Sequence, residues 1–547
     1  MSEAAIQLLR RRWNLPEAAV PVIERFFASW ADGHTSLELT NEEVKLLSRS
    51  AAVSEGSDGG NPAPLVLRDR RLQSWVLAQA EIRVAVKLRE LASVKTEAMD
   101  THSDAQAYRD VVAQLFPDQL SEQHQVATLG LGQALTLVTG GPGTGKTTTA
   151  AKLLTLLVSR QSSLRIALSA PTGKAANRLG EAMGQAAMRL TGQLAGVRPR
   201  LEQAAIHART IHRLLGWNPK TNRCRFHAGN PLPYDVVVVD EASMLDLMLW
   251  DRLLCSLGQH TKLIVLGDHH QLESVQPGRV MAEMIAAAQG GALTGCHVEL
   301  VRNYRFATHH PINHLAAAVR HYDGDAAVRV LTNEASRADL AYYPSDRLME
   351  ALDQIWPAIK MVVTASDPGA ALAALARVRI LCALSRGPYG VEGINALVDS
   401  RLRQEGLPTG QWAHGRPVLV TANDPHSGLF NGALGVVLNS NGDQGATVWF
   451  DDIHEPRGVP ITALRSHETA WAMTVHRSQG SEFESVLVVL PPEPHKLCGP
   501  ELLYTAVTRA KSKLLVAADD DAILAACLRR PARRTELLRA LNARPHP

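Results

Sequence analysis

A glycine-rich loop followed by lysine and threonine is the strongest chemical pattern in the chain. Residues 137–150 read LVTGGPGTGKTTTA, with four residues between Gly140 and Gly145, and with Lys146 and Thr147 directly after. This spacing is that of a P-loop, whose backbone N–H groups hold the β- and γ-phosphates of a nucleotide at the start of a helix. The predicted phosphate contacts are Gly140, Gly141, Pro142, Gly143, Thr144, Gly145, Lys146, Thr147 and Thr148.

Two carboxylates follow a second apolar run. VVVVDEASM places four valines in a predicted buried strand, and Asp240 and Glu241 come directly after it. Two acidic residues at such a place can simply cap a helix, but a P-loop upstream favours nucleotide hydrolysis. Thr147 and Asp240 then suit a Mg²⁺ site, and Glu241 suits the base that orients the attacking water. Since no guanine-reading N-K-x-D pattern is present, the predicted cofactors are ATP and Mg²⁺.

Polar residues in the rest of the chain indicate how ATP hydrolysis is used. LIVLGDHHQLESVQPG places Asp268 and Gln271 after a third strand, where a loop can sense the γ-phosphate. Arg305 and Arg509 lie outside the P-loop domain, and an arginine that meets the γ-phosphate is worth about 10³–10⁵ in rate. Arginines supplied by a second domain would couple hydrolysis to domain motion. The pattern therefore predicts a motor ATPase.

The order of apolar runs predicts an α/β protein with two similar halves. Short β-branched runs alternate with helical stretches from about 125 to 290 and again after about 295, which is typical of parallel sheets covered on both faces. Before them come amphipathic stretches in 1–53, a Gly/Pro/Ser-rich hinge at 54–64 and a helix predicted to begin at Arg71. The predicted domains are a helical N-terminal domain (1–105), a P-loop domain (106–293), a second α/β domain (294–411 and 467–547) and a small β-rich insert (412–466).

Composition excludes several classes of protein. Charged residues make up 20% and hydrophobic residues 46% of the 547, and the formal net charge of +3 identifies no partner. The six cysteines form no C-x-x-C pair, so reduced thiols are expected rather than zinc or a disulfide framework. Neither a signal peptide nor a long apolar span is found in the sequence, which predicts a cytoplasmic protein.

Longer motifs resemble one helicase family. SAPTGKAANRL, RTIHRLLG, VDEASM, NDPHSGLFNGALGVV, WAMTVHRSQGSEF and LLYTAVTRAKSKL occur in the order typical of the RecD family, the alpha subunits of exodeoxyribonuclease V, within helicase superfamily 1. The resemblance covers about 120–517. It implies a 5′→3′ ATP-dependent DNA helicase for repair of double-strand ends, with two RecA-like domains and an SH3-like insert. It also implies a heterotrimer with the beta and gamma subunits, in which residues 1–105 dock on gamma and a partner carries the nuclease site.

The same resemblance supplies further site residues. Gln479 and Gly480, with Ser478 and Glu482 beside them, resemble the element that joins the ATP state to DNA contacts. The glutamine that reads adenine is Gln123 or Gln125; the usual spacing from Leu120 falls on His124, and Gln125 is preferred because Val126 and Ala127 follow it. The predicted DNA contacts are Thr172, Gly173, Lys174, Thr210, His212, Asn431, Thr474 and His476. Helix capping is the alternative role for the threonines.

Three other functions compete with this reading. A P-loop ATPase that remodels protein has no need of the TVHRSQG loop in a second half. A nuclease needs a carboxylate cluster with a lysine at metal-binding geometry, and no such arrangement is found outside the ATP motifs. Stand-alone RecD-like helicases have a longer N-terminal extension, so the roughly 120 residues before the motor favour a complex subunit. Tyr389 and Phe430 are candidates for base stacking, whereas Trp471 is predicted to be a core residue.

Overall fold

The chain divides into two compact units. The structure, a computed structural model, describes residues 2–55, 63–95, 105–305, 310–333, 338–422, 424, 427–439, 445–452, 455–529 and 533–543. The first unit comprises Met1–His269, Glu273–Arg302 and Ala532–Pro547, and the second comprises His270–Leu272 and Asn303–Pro531. Most of the predicted hinge at 54–64 lies outside the described residues. None of the helices that the structure describes is long and apolar enough to cross a membrane.

The N-terminal region of the first unit combines helices with a small sheet. Its elements are α1 (Ser2–Trp13), α2 (Val20–Ala31), β1 (Ser36–Glu38), α3 (Asn41–Leu47), β2 (Val53–Glu55), β3 (Leu65–Arg68), β4 (Arg71–Ser74) and α4 (Trp75–Ser93). The helices predicted within 1–53 are confirmed. The sheet, in the order β1-β4-β3-β2, is a feature that the sequence analysis did not predict. Ile23, Leu47 and Leu72 are fully buried in the core that the helices and the sheet share.

The helix predicted from Arg71 begins four residues later, at Trp75. Residues Arg71–Ser74 pair antiparallel with both β1 and β3, so their backbone groups are used in the sheet. Ser74 ends the strand and caps α4, since its hydroxyl accepts a hydrogen bond from the Leu77 N–H at 3.3 Å. Strand pairing with residues distant in the sequence therefore overrides the local helical periodicity.

A parallel sheet forms the centre of the P-loop domain. Its elements are α5 (Ala105–Leu115), α6 (Glu122–Gly132), β5 (Leu135–Gly140), α7 (Lys146–Arg160), β6 (Ile166–Ala170), α8 (Gly173–Met188), α9 (Arg198–Ile206), β7 (Arg209–Thr210), α10 (Ile211–Leu214), β8 (Val236–Val239), α11 (Leu247–Cys255), β9 (Lys262–Gly267), α12 (Val280–Ala288) and β10 (His297–Leu300). The strand order is β10-β5-β9-β8-β6-β7, and every neighbouring pair is parallel. All residues of β5 and β8 are buried, as expected for strands covered on both faces. The prediction of a RecA-like α/β domain is confirmed.

The second unit contains another parallel sheet. Its elements are α13 (Pro311–Arg320), α14 (Gly324–Thr332), β11 (Leu340–Tyr343), α15 (Leu348–Val363), α16 (Pro368–Arg377), β12 (Val378–Cys382), α17 (Val391–Gln404), β13 (Pro417–Val420), β14 (Leu434–Asn439), β15 (Ala446–Phe450), β16 (Arg457–Pro460), β17 (His467–Thr469), β18 (Ala472–Thr474), β19 (Phe483–Val489), α18 (Pro500–Val507), β20 (Ala510–Ala517) and α19 (Asp520–Leu528). The parallel strands follow the order β11-β20-β19-β12-β18. This confirms the second predicted α/β half.

The β-rich insert is a five-stranded antiparallel sheet in the order β16-β15-β14-β13-β17. It has its own apolar core, in which Val437 and Val448 are fully buried. The predicted β character of 412–466 is confirmed, and β17 extends the sheet to Thr469.

The last helix, α20 (Leu537–Asn542), lies in the first unit and not in the second. Its buried Leu537 and Leu541 belong to the same apolar core as residues of α4 and α12. The predicted second domain ran on to 547, so the structure places this boundary differently. The reason is that α20 covers apolar surface of two helices from earlier in the chain.

Candidate nucleotide and DNA sites

Gly140, Gly143 and Gly145, three of the four glycines of residues 140–145, have backbone conformations that favour glycine. This loop joins the end of β5 to the start of α7, and Gly143 and Gly145 both have φ of +83°. Gly140 has φ of +155°, and a Cβ atom there would lie 2.6 Å from the Leu300 carbonyl oxygen and from Thr144 Oγ1. Side chains at these positions would therefore strain or displace the loop. The N–H groups at the start of the 15-residue helix α7 provide an anion site.

Lys146 is the first residue of α7, and its ammonium group lies within the loop. Its Nζ donates hydrogen bonds to the carbonyl oxygens of Gly140 and Gly141, at 2.6 and 3.0 Å. Thr144 is buried and donates its hydroxyl hydrogen to the Gly141 carbonyl at 2.8 Å, which closes the loop. The remaining predicted phosphate contacts Pro142 and Thr148 lie at its outer surface, where Thr148 is exposed. The positive charge of Lys146 thus lies beside backbone carbonyl groups of the loop.

The structure brings Thr147 and Asp240 together, as the sequence predicts. Asp240 follows β8, and its Oδ2 accepts a hydrogen bond from Thr147 Oγ1 at 3.5 Å. Burial, followed by the negative charge of Glu241, raises the pKa of Asp240 to about 6, although the nearby Lys146 opposes the shift. A hydroxyl oxygen and a carboxylate oxygen at one point are the hard ligands that Mg²⁺ takes, with phosphate oxygens and water completing its shell. The residues present therefore fit a Mg²⁺ site.

Glu241 has a backbone conformation that is rare for a glutamate. Its φ of +51° and ψ of +41° are left-handed, and its N–H donates to Asp240 Oδ1 at 2.8 Å. Such conformations cost about 1–3 kcal/mol and tend to occur at functional sites.

Arg178 is a residue near this site that the sequence analysis missed. It lies on α8, and its positive charge lowers the pKa of Asp240 against the effect of burial. The available signal was helical spacing, because Arg178 follows Lys174 by four residues and shares its face of α8.

The segment after β9 that carries Gln271, here called the γ-phosphate-sensing segment for its predicted role, is held within the second unit by three hydrogen bonds. Arg509 Nη2 donates to Gln271 Oε1 at 2.8 Å. The Leu272 N–H donates to Thr505 Oγ1 at 2.8 Å, and Gln479 Nε2 donates to the Leu272 carbonyl at 2.7 Å. Of the residues predicted to act on the nucleotide, Arg509 therefore contacts Gln271 directly, and Gln479 contacts the residue after Gln271. Asp268, directly before this segment, is buried.

Arg305 and Arg509 occupy different environments. Arg509 is 2% exposed, and besides Gln271 it donates to the carbonyl oxygens of Thr505 and Ser481, both at 3.1 Å. Arg305 is partly exposed and forms an ion pair with Glu482. Gly480, next to Gln479, has φ of +69°, which glycine adopts at low cost. Gln479 and Gly480 thus lie in the same unit as both arginines, and the next residue, Ser481, accepts a hydrogen bond from Arg509.

Three predicted DNA contacts are threonines with the same geometry. Thr172, Thr210 and Thr474 follow or end parallel strands, and each hydroxyl accepts an N–H at the start of the next helical turn, at 3.2–3.4 Å. The capping role that the sequence analysis left as an alternative is therefore present at all three. Contact with DNA stays a prediction for them, and equally for Gly173, Lys174, His212, Asn431 and His476.

The surroundings of these other DNA candidates differ. Lys174 and Asn431 are exposed. His212 packs edge-on against Trp217 with ring centroids 5.0 Å apart, and burial lowers the pKa of its imidazole. Trp471 is 5% exposed and donates its indole N–H to Asp399 at 3.2 Å, so the prediction that it is a core residue is confirmed.

The two candidate adenine-reading glutamines lie on α6 with different contacts. Gln123 is partly buried, and its Oε1 accepts a hydrogen bond from Lys152 Nζ of α7 at 3.3 Å. Gln125, the preferred residue, is exposed, and His124 is partly buried. The preference for Gln125 stays a prediction.

The cysteines and acidic residues show no metal-binding arrangement in the part of the chain that the structure describes. The six cysteines are free thiols. No three His, Cys, Asp or Glu side chains lie together as a metal site would require, within the same described ranges.

Comparison with known proteins places the chain among DNA helicases. The AAA domain family matches residues 123–277, and the UvrD-like helicase C-terminal domain family matches residues 469–517. The RecBCD enzyme subunit RecD of Mycolicibacterium smegmatis is 40% identical over 440 residues, which cover 79% of this chain and 76% of that protein. The ATP-dependent RecD2 DNA helicase of Deinococcus radiodurans is 32% identical over 428 residues, which cover 77% of this chain but 52% of that protein. A solved structure of Bacteroides Pif1 bound to single-stranded DNA aligns with a TM-score of 0.39 and 18% identity, covering 76% of this chain and 94% of that one.

Proposed function

The chain belongs to the RecD family of ATP-dependent DNA helicases, and from this we propose that it is the 5′→3′ motor subunit of a helicase–nuclease complex. In this proposal it moves on the 5′-ended strand of a broken duplex and acts in recombinational repair. The beta and gamma subunits of exodeoxyribonuclease V are its partners, residues 1–105 dock on gamma, and the complex works in the cytoplasm. The observation that carries the ATPase part is the placement of Thr147 and Asp240, with Oγ1 and Oδ2 3.5 Å apart beside the Lys146 loop.

Each residue of the nucleotide site has a proposed role in hydrolysis. The loop N–H groups and Lys146 bind the β- and γ-phosphates, and Gln125 reads the adenine edge. Thr147 and Asp240 hold Mg²⁺, which when bound neutralises charge on the phosphate oxygens. Glu241 accepts a proton from the attacking water, and Arg305 and Arg509 stabilise the charge that develops on the γ-phosphoryl group.

Gln271 is proposed to convert loss of the γ-phosphate into movement on DNA. Its side-chain oxygen is held by Arg509, and the next residue, Leu272, is held by Gln479 and Thr505. A change at Gln271 therefore alters the hydrogen bonds of the TVHRSQG loop, which carries the DNA candidates Thr474 and His476. An ATPase that acts on protein partners has no evident use for this network.

The first experiment is ATP hydrolysis by the purified chain with and without oligo(dT). We expect single-stranded DNA to raise turnover strongly, because the Arg509–Gln271 and Gln479–Leu272 hydrogen bonds join nucleotide and DNA candidates. Turnover that ignores DNA would favour the protein-remodelling ATPase instead. If the chain is inactive alone, the assay is repeated with the beta and gamma subunits, and co-purification of the three tests the heterotrimer directly.

The chain is similar both to RecD subunits and to a RecD2 helicase, so experiment must separate the subunit from the stand-alone alternative. The match covers 76% of the RecD protein from M. smegmatis, but about half of the RecD2 helicase from D. radiodurans. Unwinding by the chain alone at the rate of the assembled complex would support the stand-alone alternative.

A Lys174→Gln variant tests the proposed DNA surface. We expect weaker binding of oligo(dT). The slope of log K against log salt concentration should become shallower by about 1, the effect of losing one phosphate contact. Lys174 is exposed at the start of α8, so the change removes a charge with little effect on packing. Binding is measured by fluorescence anisotropy at several salt concentrations. Lys45→Gln, an exposed lysine on α3, is the matched control, and equal slopes for the two variants would contradict a phosphate contact at Lys174.

A further inference from the structure

Residues 533–543, here called the C-terminal segment, belong to the first unit although they follow Asn303–Pro531, the long part of the second unit, in the sequence. The segment is fixed along its length. The Arg534 carbonyl accepts a hydrogen bond from the Thr35 N–H at 2.9 Å, and the Arg534 N–H donates to His34 Nδ1 at 2.9 Å. The Glu536 N–H donates to the buried Glu81 at 3.1 Å. The segment is therefore a rigid base for the side chains that it carries.

Arg533 extends from this base to the loop formed by residues 273–278. Its Nη1 donates to the carbonyl oxygens of Gln276 and Gly278, at 3.3 and 3.1 Å. The same atom lies 3.7 Å from Glu273 Oε2, and both side chains are mostly buried. Arg279 binds the other oxygen of Glu273 at 2.8 Å. One guanidinium group thus contacts both ends of the loop.

A tight turn of the N-terminal region meets the same loop. The Gly278 N–H donates to the Gly33 carbonyl at 3.1 Å. Gly33 follows α2 with φ of +90°, and a Cβ atom on it would lie 2.5 Å from Arg533 Nε. A glycine is therefore required here on two grounds, conformation and space. Two segments distant in sequence, the C-terminal segment and the turn at Gly33, thus meet at residues 273–278.

The loop is the continuation of the γ-phosphate-sensing segment. Glu273 comes one residue after Leu272 and two after Gln271, so the position of the loop limits where the Gln271 side chain can move. The loop has little structure of its own, since Val275 and Gln276 are exposed and residues 273–278 contain no helix or strand. Within it Ser274 Oγ donates to the Gln276 carbonyl at 2.9 Å, and the contacts from outside the loop that hold it are those of Arg533, Arg279 and Gly33.

We propose that Arg533 is a positioning residue for ATP turnover, because it fixes the loop from which Gln271 extends. This inference rests on the proposed function, in which Gln271 responds to the γ-phosphate. Arg533 touches neither nucleotide nor DNA in this scheme. It acts by keeping the 273–278 loop in one conformation, so that movement of Gln271 is passed to Arg509 and Gln479 and is not absorbed by the loop.

An Arg533→Gln variant, compared with Arg534→Gln, tests the proposal. The two arginines are neighbours, but the side chain of Arg534 forms an exposed ion pair with Glu38 at 3.3 Å. We expect Arg533→Gln to lower DNA-stimulated kcat by about 2- to 30-fold, the effect of residues that modulate coupling from a distance. KM for ATP and the melting temperature should stay close to those of Arg534→Gln. Equal kcat values for the two variants would overturn the proposal, and so would a fall in kcat that only parallels a fall in melting temperature.

Hydrogen exchange gives a readout that does not depend on activity. Backbone amides in 273–278 should exchange faster in Arg533→Gln than in Arg534→Gln, because local opening becomes easier when the contacts that order a loop are removed. Unchanged exchange would overturn the proposal even if the wild-type chain showed no response to DNA. Absence of DNA stimulation in the wild type, by contrast, argues against the proposed function.

A double-mutant cycle with Glu273→Gln separates the contact from general destabilisation. If Arg533 acts through the loop, the combined variant loses less kcat than the product of the two single losses, since both changes disrupt the same contact. Multiplicative losses would mean that the two residues act independently, and would overturn the proposed route.

Discussion

A Lys146→Gln variant is expected to lose DNA-stimulated ATP turnover by about 10²–10³-fold, the cost of removing one strong electrostatic donor from a transition state. The ammonium group already lies within the loop, 2.6 and 3.0 Å from the carbonyl oxygens of Gly140 and Gly141. Glutamine is polar, one bond shorter and uncharged, so the backbone of the loop should persist while its attraction for phosphate is lost. Steady-state kinetics should show a lower kcat together with weaker ATP binding.

The control for this variant lies at the other end of the same helix. Arg160→Gln also removes one positive charge from α7, but in its last turn. Turnover should stay within about twofold of wild type, since charge–dipole effects at a helix end are small and fall off within one turn. Comparable losses in the two variants would show that helix α7 is merely destabilised, and would contradict a phosphate contact for Lys146.

A Glu241→Gln variant is expected to separate ATP binding from hydrolysis. Turnover should fall by about 10²–10⁴-fold, the usual contribution of a general base, because an amide cannot accept the proton of the attacking water. The substitution keeps the size of the side chain, and the Glu241 N–H bond to Asp240 at 2.8 Å is a backbone interaction that it leaves intact. Binding of a fluorescent ATP analogue should therefore be retained, while single-turnover hydrolysis is slow.

The outcome is judged against a glutamate on the surface. Glu181→Gln on α8 changes an exposed carboxylate to an amide and should leave hydrolysis unchanged. If Glu241→Gln hydrolyses ATP within a few-fold of this control, the base lies elsewhere. If Glu241→Gln also fails to bind the analogue, the Glu241 side chain is needed to hold the turn after β8, in which residue 241 has a left-handed φ of +51°.

Local patterns accounted for the sheet strands and the phosphate loop. Burial on both faces of the sheet favours the valines of β8, and positive φ favours glycine at 140, 143 and 145. Both preferences can be recognised from the residue types alone. The TVHRSQG loop was identified by resemblance, and the hydrogen bond from Gln479 to Leu272 explains why its residues have these types.

Contacts between residues far apart in the chain could not be predicted from the sequence. Arg71–Ser74 continues the apolar spacing of α4, yet Gln73 pairs with Ser36 in the sheet, and nothing local distinguishes this strand from a first helical turn. The partner of Gln271 was also hidden, because Arg509 lies 238 residues away and its burial depends on the complete second unit. Nothing in the local sequence distinguishes Arg533 from the other arginines between 529 and 539. Its contacts with residues 273–278 exist only because the C-terminal segment packs in the first unit.

The path of the chain has a consequence for its biosynthesis. The first unit is split in sequence, and the ribosome completes all of Asn303–Pro531 before Arg533 is made. At elongation rates of 5–20 residues per second, this interval lasts about 10–50 s. Until it ends, Glu81 lacks the Glu536 N–H and Glu283 lacks the Thr535 hydroxyl. The unit that holds the nucleotide loop is thus the first to begin translation and the last to be completed by the ribosome.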